Sequence, residues 1–298
     1  MGAIIEVQHL SKSFGKKRAI KDLSFSVEKG AFFSFLGSNG AGKSTTIDII
    51  TTLIQKDTGT VKINGLEIGQ NDSEIRDVIG SVFQRGLLDE KLTVLDNLLI
   101  RGSFYGLTDR ELKNRIEYLA DLIRIKEILH QKYGRLSGGQ KRRADIVRAL
   151  INQPKILFLD EPTAGLDPLS RKILWQTIKD LQERLFMTVF LTTHYMEEAA
   201  QSDKIAIIHK GQLVALDTPE NLRKVYSTTS VRLQQPTPQL RKLLTSRYLV
   251  IEDREDLIAI RNLADDEILD FLLTNQTEFH GFEVLQGNMD DVFLNVIN

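Results

Sequence analysis

Two glycine-rich runs and one pair of adjacent carboxylates are where this sequence could do chemistry. The first run, "GSNGAGKST" at 37–45, places Gly37, Gly42, Lys43 and Ser44 at the spacing of a P-loop. Glycines there let successive backbone N–H groups converge on phosphate oxygens, and a helix that starts at the loop adds its positive end. In such a loop Lys43 reaches the β- and γ-phosphates of a nucleoside triphosphate, and the Ser44 hydroxyl binds Mg²⁺. The flanks agree: the apolar run Ala31–Leu36 reads as a strand buried on both faces, and "KSTTIDIITTLI" reads as the following helix. An accidental glycine turn would need neither flank.

The carboxylates stand in "KILFLDEP". Ile156–Leu159 form a short buried strand, with Asp160 emerging at its carboxyl end, where ligands of open α/β sheets collect. Asp160 suits a metal, directly or through water, and Glu161 is placed to polarise an attacking water. Alone, the pair would equally suit a solvated turn; beside a P-loop, the catalytic reading prevails. The second glycine run, "LSGGQ" at 136–140, opens the helix "QKRRADIVRAL" and offers Ser137, free N–H groups and a second helix N-terminus as another anion site. A P-loop wraps one side of a triphosphate, and phosphoryl transfer requires the γ-phosphate to be enclosed from the other. A two-fold dimer would set the P-loop of one copy opposite the SGG of its partner.

These loops need elements to hold them. "AIIEVQHLSKSF" and "KDLSFSVEKGAFFSFLG" contain strand-like runs broken by glycines, and "GTVKINGLEIG" reads as a hairpin. The middle of the chain is helical: Leu112, Ile116, Leu119 and Ile123 make one apolar stripe, and Thr108 with Glu111 looks like a capping box. Strand–helix alternation then returns through "KILFLD", "PLSRKILWQTIKDLQERL" and "TVFLTTH", with "KIAIIHKGQLVALDTP" as a strand pair, which argues for a mostly parallel sheet. Pro219 and the polar "STTS" at 227–230 look like a boundary. We therefore expect an ATPase-type domain over 1–225, with a helical subdomain at about 87–145, and a small α+β domain over 226–298 with its helices on one face of an antiparallel sheet.

The ordered motifs resemble those of the ATP-binding cassette (ABC) family over roughly residues 3 to 220. "GSNGAGKST" is similar to its Walker A, "LSGGQ" to its signature motif, "ILFLDEP" to its Walker B and "AGLD" at 164–167 to its D-loop. Gln84, in "GSVFQRG", falls where the family has its Q-loop, and His194, in "LTTHYMEEA", where it has its switch histidine. The resemblance implies a P-loop NTPase fold with a β-subdomain, a RecA-like core and a helical subdomain. It implies ATP bound by Gly37, Ser38, Asn39, Gly40, Ala41, Gly42, Lys43, Ser44 and Thr45 of one copy and by Ser137, Gly138, Gly139 and Gln140 of the other. It further implies Glu161 as general base, His194 at the γ-phosphate, Gln84 touching Mg²⁺ and water, and Phe14 against the adenine. Many members have Tyr at that last position; Phe keeps the stacking face and loses the hydroxyl.

Composition limits the remaining classes. The chain has 298 residues, 39 basic and 40 acidic, and no cysteine. Near-zero net charge gives no case for a nucleic-acid partner, and the lack of cysteine excludes disulfides, thiolate metal sites and thiol catalysis. "MGAIIE" puts Glu6 where a myristoylation signal needs Ser or Thr, and the start lacks the apolar stretch of a signal peptide. No segment approaches the roughly 18 to 20 apolar residues of a membrane helix, so at a membrane another chain must do the crossing. The resemblance places such a cassette on the cytoplasmic face, with permease subunits and a second ATPase subunit, in a homodimer, as partners. "LTVLDNLLIRGSFYGLTDREL" and the closing "FEVLQGNMDDVFLNVI" are similar to ATPases of ABC-2 type exporters of drugs and antibiotics. The alternatives are an importer ATPase, which would share every catalytic motif, and a non-transport ABC protein, which usually joins two cassettes or inserts long coiled coils. A simple P-loop kinase leaves "LSGGQ" unexplained.

Overall fold

Strands β1 (Ala3–Phe14) and β2 (Lys17–Glu28) open the chain as an antiparallel pair, and β3 (Phe32–Gly37) follows with all six residues buried. In the computed structural model the described residues are 2–227, 229–261, 263, 267–285 and 287–297. They divide into two compact units, Met1–Leu216 and Asp217–Asn298.

In the first unit β3 runs into helix α1 (Lys43–Ile50), then β4 (Thr58–Ile63) and β5 (Leu66–Glu67) form the expected hairpin. Next come α2 (Asp72–Val78), β6 (Ile79–Val82) and the three helices α3 (Val94–Gly102), α4 (Asp109–Leu122) and α5 (Gly138–Leu150). The unit closes with β7 (Ile156–Asp160), α6 (Pro168–Leu185), β8 (Thr188–Thr193), α7 (Met196–Ala199), β9 (Lys204–His209) and β10 (Gln212–Asp217). One sheet has the order β2-β1-β4-β5 and the other β10-β9-β3-β8-β7-β6. Within the second, β9, β3, β8, β7 and β6 are parallel neighbours, so the carboxyl ends of β3 and β7 open on one edge.

Residues on the two faces of this parallel core belong to two hydrophobic clusters. Phe33, Phe35, Phe158 and Phe190 pack with Phe25 of β2, Phe33 and Phe190 having ring centroids 5.4 Å apart. Alternation along the strands sends Phe32, Leu157 and Leu191 to the opposite face, where Phe32 stacks on Trp175 at 5.3 Å. The same cluster takes in Leu112, Ile116, Leu119 and Ile123, so the apolar stripe of α4 is core, and Thr108 and Glu111 make both bonds of the capping box.

The second unit holds α8 (Pro219–Tyr226), β11 (Ser230–Gln234), α9 (Pro238–Arg247), β12 (Leu249–Arg254), β13 (Leu257–Arg261), α10 (Ile268–Thr274), β14 (Gly281–Leu285) and α11 (Met289–Ile297). Its antiparallel sheet has the order β12-β13-β11-β14. Helix α8, which the sequence reading leaves on the ATPase side of the boundary, packs on α11 within this unit. Helices α9 and α10 bury Leu240, Leu244, Ile268 and Leu272 against Val231, Leu233, Ile258 and Ile260. The other face is not bare, contrary to expectation: Ala259 is fully buried there, and Arg261 reaches Asp291 of α11 at 2.8 Å.

Candidate active site

Gly42, the N-cap of α1, has φ 109°, and a Cβ on it would lie 2.7 Å from the Ala19 carbonyl oxygen. Only glycine meets both demands, so β2 presses the loop into its turn. Lys43 follows with 4% of its surface exposed. Its Nζ donates to the carbonyls of Gly37 at 2.9 Å and Ser38 at 3.3 Å, and lies 3.2 Å from Glu161 Oε1. A pocket of about 410 Å³ opens over the loop, lined by Phe14, Lys17, Ala19, Asn39, Gly40, Gly42, Lys43, Ser44, Thr45, Gln84 and Glu161. Gly37, Ser38 and Ala41 do not line it; the first two supply carbonyls to Lys43, and Ala41 is buried.

Asp160 ends β7, whose other four residues are fully buried. Burial pushes its carboxyl above the usual range and the nearby Glu161 charge adds to this, while hydrogen bonds from the Thr192 and Ser44 hydroxyls and the Lys43 charge pull it back. Thr192 Oγ1 donates to Asp160 Oδ1 at 2.5 Å. A buried carboxylate beside a serine hydroxyl is the donor set that Mg²⁺ takes when phosphate oxygens complete its shell, and the described residues contain no cluster of three acids that would make an all-protein cage. The residues therefore fit the ion.

Glu161 stands in the left-handed region at φ 43°. Its N–H donates to both the carbonyl and the hydroxyl of Thr192, at 3.2 and 3.0 Å. This turn aims one carboxylate oxygen at Lys43 and brings the other within 3.4 Å of His194 Nδ1, close but without hydrogen-bond geometry. The His194 ring packs on Tyr195, centroids 4.1 Å apart. Phe14 is half exposed at the end of β1, with Lys12 Nζ 5.4 Å above its ring. Gln84 is exposed, and its backbone is held by buried Arg142, which donates to the carbonyls of Phe83 at 2.5 Å and Gln84 at 3.2 Å.

The second glycine run lies elsewhere. Ser137 caps α5 in a full capping box with Gln140, accepting from the Gln140 N–H while Gln140 Oε1 accepts from the Ser137 N–H. A Cβ on Gly138 would lie 3.1 Å from Leu166, and one on Gly139 3.0 Å from Ser170, so the loop before α6 and the helix's first turn leave little room for side chains. None of Ser137, Gly138, Gly139 and Gln140 lines the P-loop pocket of the same chain. Sequence reasoning missed Lys17, Thr192 and Arg142. Lys17 was accessible, as the direct partner of Phe14 across the β1–β2 pair; Thr192 and Arg142 act over sequence separations of 32 and 58 or more, which no local pattern encodes.

Comparison with known proteins agrees with this geometry. A family model described as "ABC transporter" matches residues 20–164. The linearmycin resistance ATP-binding protein LnrL of Bacillus subtilis is 34% identical over 98% of this chain and 98% of its own length. A Nod factor export ATP-binding protein I from a Rhizobium species is 39% identical over 73% of this chain and 72% of its own. Among solved structures, the cassette MJ0796, in a dimeric post-hydrolysis state bound to ADP and Pi, superposes with a TM-score of 0.65 at 29% identity, covering 72% of this chain and 98% of that one. The chain belongs to the ABC transporter family and is one of its ATP-binding, ATP-hydrolysing subunits.

Proposed function

We propose that two copies of this chain close on two ATP molecules, and that closure and hydrolysis drive export through separate membrane subunits. One observation carries the reading: the start of α5, a helix N-terminus suited to an anion, contributes no residue to the P-loop pocket of its own chain, which leaves that side of the pocket for a second copy to close. In that assembly Lys43 holds the β- and γ-phosphates, the loop N–H groups of residues 38–45 surround them, and Phe14 stacks on the base. Ser137, Gly138 and Gly139 of the partner close the far side. Ser44 and Asp160 hold Mg²⁺, with Gln84 at its edge. Bound there, the ion would supply neutralisation of phosphate charge.

Glu161 takes the proton of the attacking water, and His194 fixes the γ-phosphate against it. Lys43 pairs with the Glu161 carboxylate at 3.2 Å, so phosphates bound at the loop would compete for the lysine and release Glu161 for its role. Export is supported by the resistance and export names carried by the relatives. No helix among the described residues is long and apolar enough to cross a membrane, which agrees with peripheral attachment to permease subunits on the cytoplasmic face.

We assign the docking face to the turn just after α3, where Phe104 is 75% exposed next to Tyr105, with Ile100 of α3 also exposed. Phe104→Glu tests it by co-purification with the membrane subunit. The expected result is loss of the complex with basal ATP hydrolysis intact, and undiminished co-purification contradicts this face.

A further inference from the structure

Glu198, the second acid of "HYMEE", is 3% exposed on the short helix α7 and lies outside the pocket. Both of its oxygens are engaged. Oε1 accepts from Thr163 Oγ1 at 2.5 Å and Oε2 from Thr193 Oγ1 at 2.7 Å, and both threonines are 1% exposed. Arg171, in the first turn of α6, has its Nε 3.8 Å from Oε1 and lays its guanidinium 4.4 Å over the Tyr195 ring. That ring in turn packs on His194.

The two threonines are the significant partners. Thr163 lies two residues after Glu161, and Thr193 directly precedes His194. A carboxylate withdrawn from water is costly, and an apolar side chain would pack the same space with less penalty. A residue that fastens two loop segments by two directed bonds fixes their separation as packing alone does not. Separation matters here because Glu161 is held at a positive φ, a conformation that persists only where its surroundings over-determine it. Thr192 holds the near side of that residue, and the Thr163–Glu198 bond holds the loop beyond it.

We propose that Glu198 is a positioning residue, a clasp that sets Glu161 and His194 at their working distance by tying Thr163 to Thr193. The inference rests on the reading that Glu161 and His194 act together in hydrolysis. Thr163→Val and Thr193→Val each remove one arm while keeping shape, Glu198→Ala removes the centre, and Glu198→Gln keeps an amide able to bridge both hydroxyls.

For each purified chain, kcat and KM for ATP, equilibrium ATP binding and the melting temperature are measured. The expected result is a kcat loss of about tenfold to a hundredfold in the valine and alanine variants, with ATP affinity near the parent's and most of kcat recovered in Glu198→Gln. If Glu198→Ala does not fold, the valine variants decide. Folded variants with parent kcat, or a loss confined to melting temperature and affinity, overturn the clasp. Parent-like turnover by Glu161→Gln would instead overturn the assignment of the base, so the two failures are distinguishable.

Discussion

Glu161 Oε1 stands 3.2 Å from Lys43 Nζ, joining the carboxyl end of β7 to the first residue of α1. The ion pair is nearly buried, with the two side chains 13% and 4% exposed. It links the group assigned to activate water with the group assigned to hold phosphate, and substitution of either one separates those roles.

Glu161→Gln keeps shape and hydrogen bonding but removes the base. Turnover should fall by about 100-fold or more, as loss of a general base does, while ATP binding persists. Single-turnover hydrolysis and nucleotide binding, measured on the same preparation, check both halves. The variant should also accumulate as an ATP-bound dimer on size exclusion.

Lys43→Ala behaves differently, because a phosphate contact disappears from the ground state as well as the transition state. ATP affinity should drop by about tenfold or more along with kcat, reflecting a charge-assisted bond worth about 1.5–3 kcal/mol. Equilibrium titration with a fluorescent ATP analogue distinguishes this from a purely catalytic defect.

Arg142 ties α5, the helix that begins at "SGG", to the segment carrying Gln84. Burial lowers its guanidinium pKa, with Asp145, Tyr133 and Asp160 opposing that shift. Arg142→Met should leave the Phe83 and Gln84 carbonyls without this donor and destabilise the first unit by about 2–4 kcal/mol. Urea unfolding followed by Trp175 fluorescence reads the shift.

Asp57 supports the strand that carries Phe14. It accepts from Lys12 Nζ at 2.8 Å and from the Ser13 N–H at 2.7 Å, and these bonds, the Lys12 contact first, hold its carboxyl below the usual range. A depressed folded pKa contributes stability above the unfolded value, and that stability is lost as pH falls through the folded one. Parent and Asp57→Asn should therefore differ in melting temperature at neutral pH, begin to converge as pH falls below about 3.8, the unfolded reference, and merge only below the depressed folded value. A constant difference across that window would contradict this.

The parts legible in the sequence are those whose chemistry constrains neighbouring residues. A phosphate loop needs glycine where φ is 109° and a lysine one residue later, so Gly42 and Lys43 announce themselves. Capping boxes span four residues, and the Thr108–Glu111 box is readable for the same reason. Glu161's positive φ, the Thr192 bonds and the Glu198 clasp were not readable, because each depends on where β7 and β8 lie side by side. The second face of the C-terminal sheet is not legible in the sequence, because its signal is a small residue, Ala259, which carries no periodic mark of its own.

The proposed shared site can be tested by trapping it directly, since the chain has no native cysteine to interfere. Asn39→Cys and Ser137→Cys are made as separate chains in the Glu161→Gln background, mixed, and oxidised with and without ATP. The account predicts a covalent dimer that requires both variants and is enhanced by ATP, since Asn39 of one copy meets Ser137 of the other over one triphosphate. No disulfide between the two variants in the mixture, or the same dimer yield with either variant alone, would contradict it.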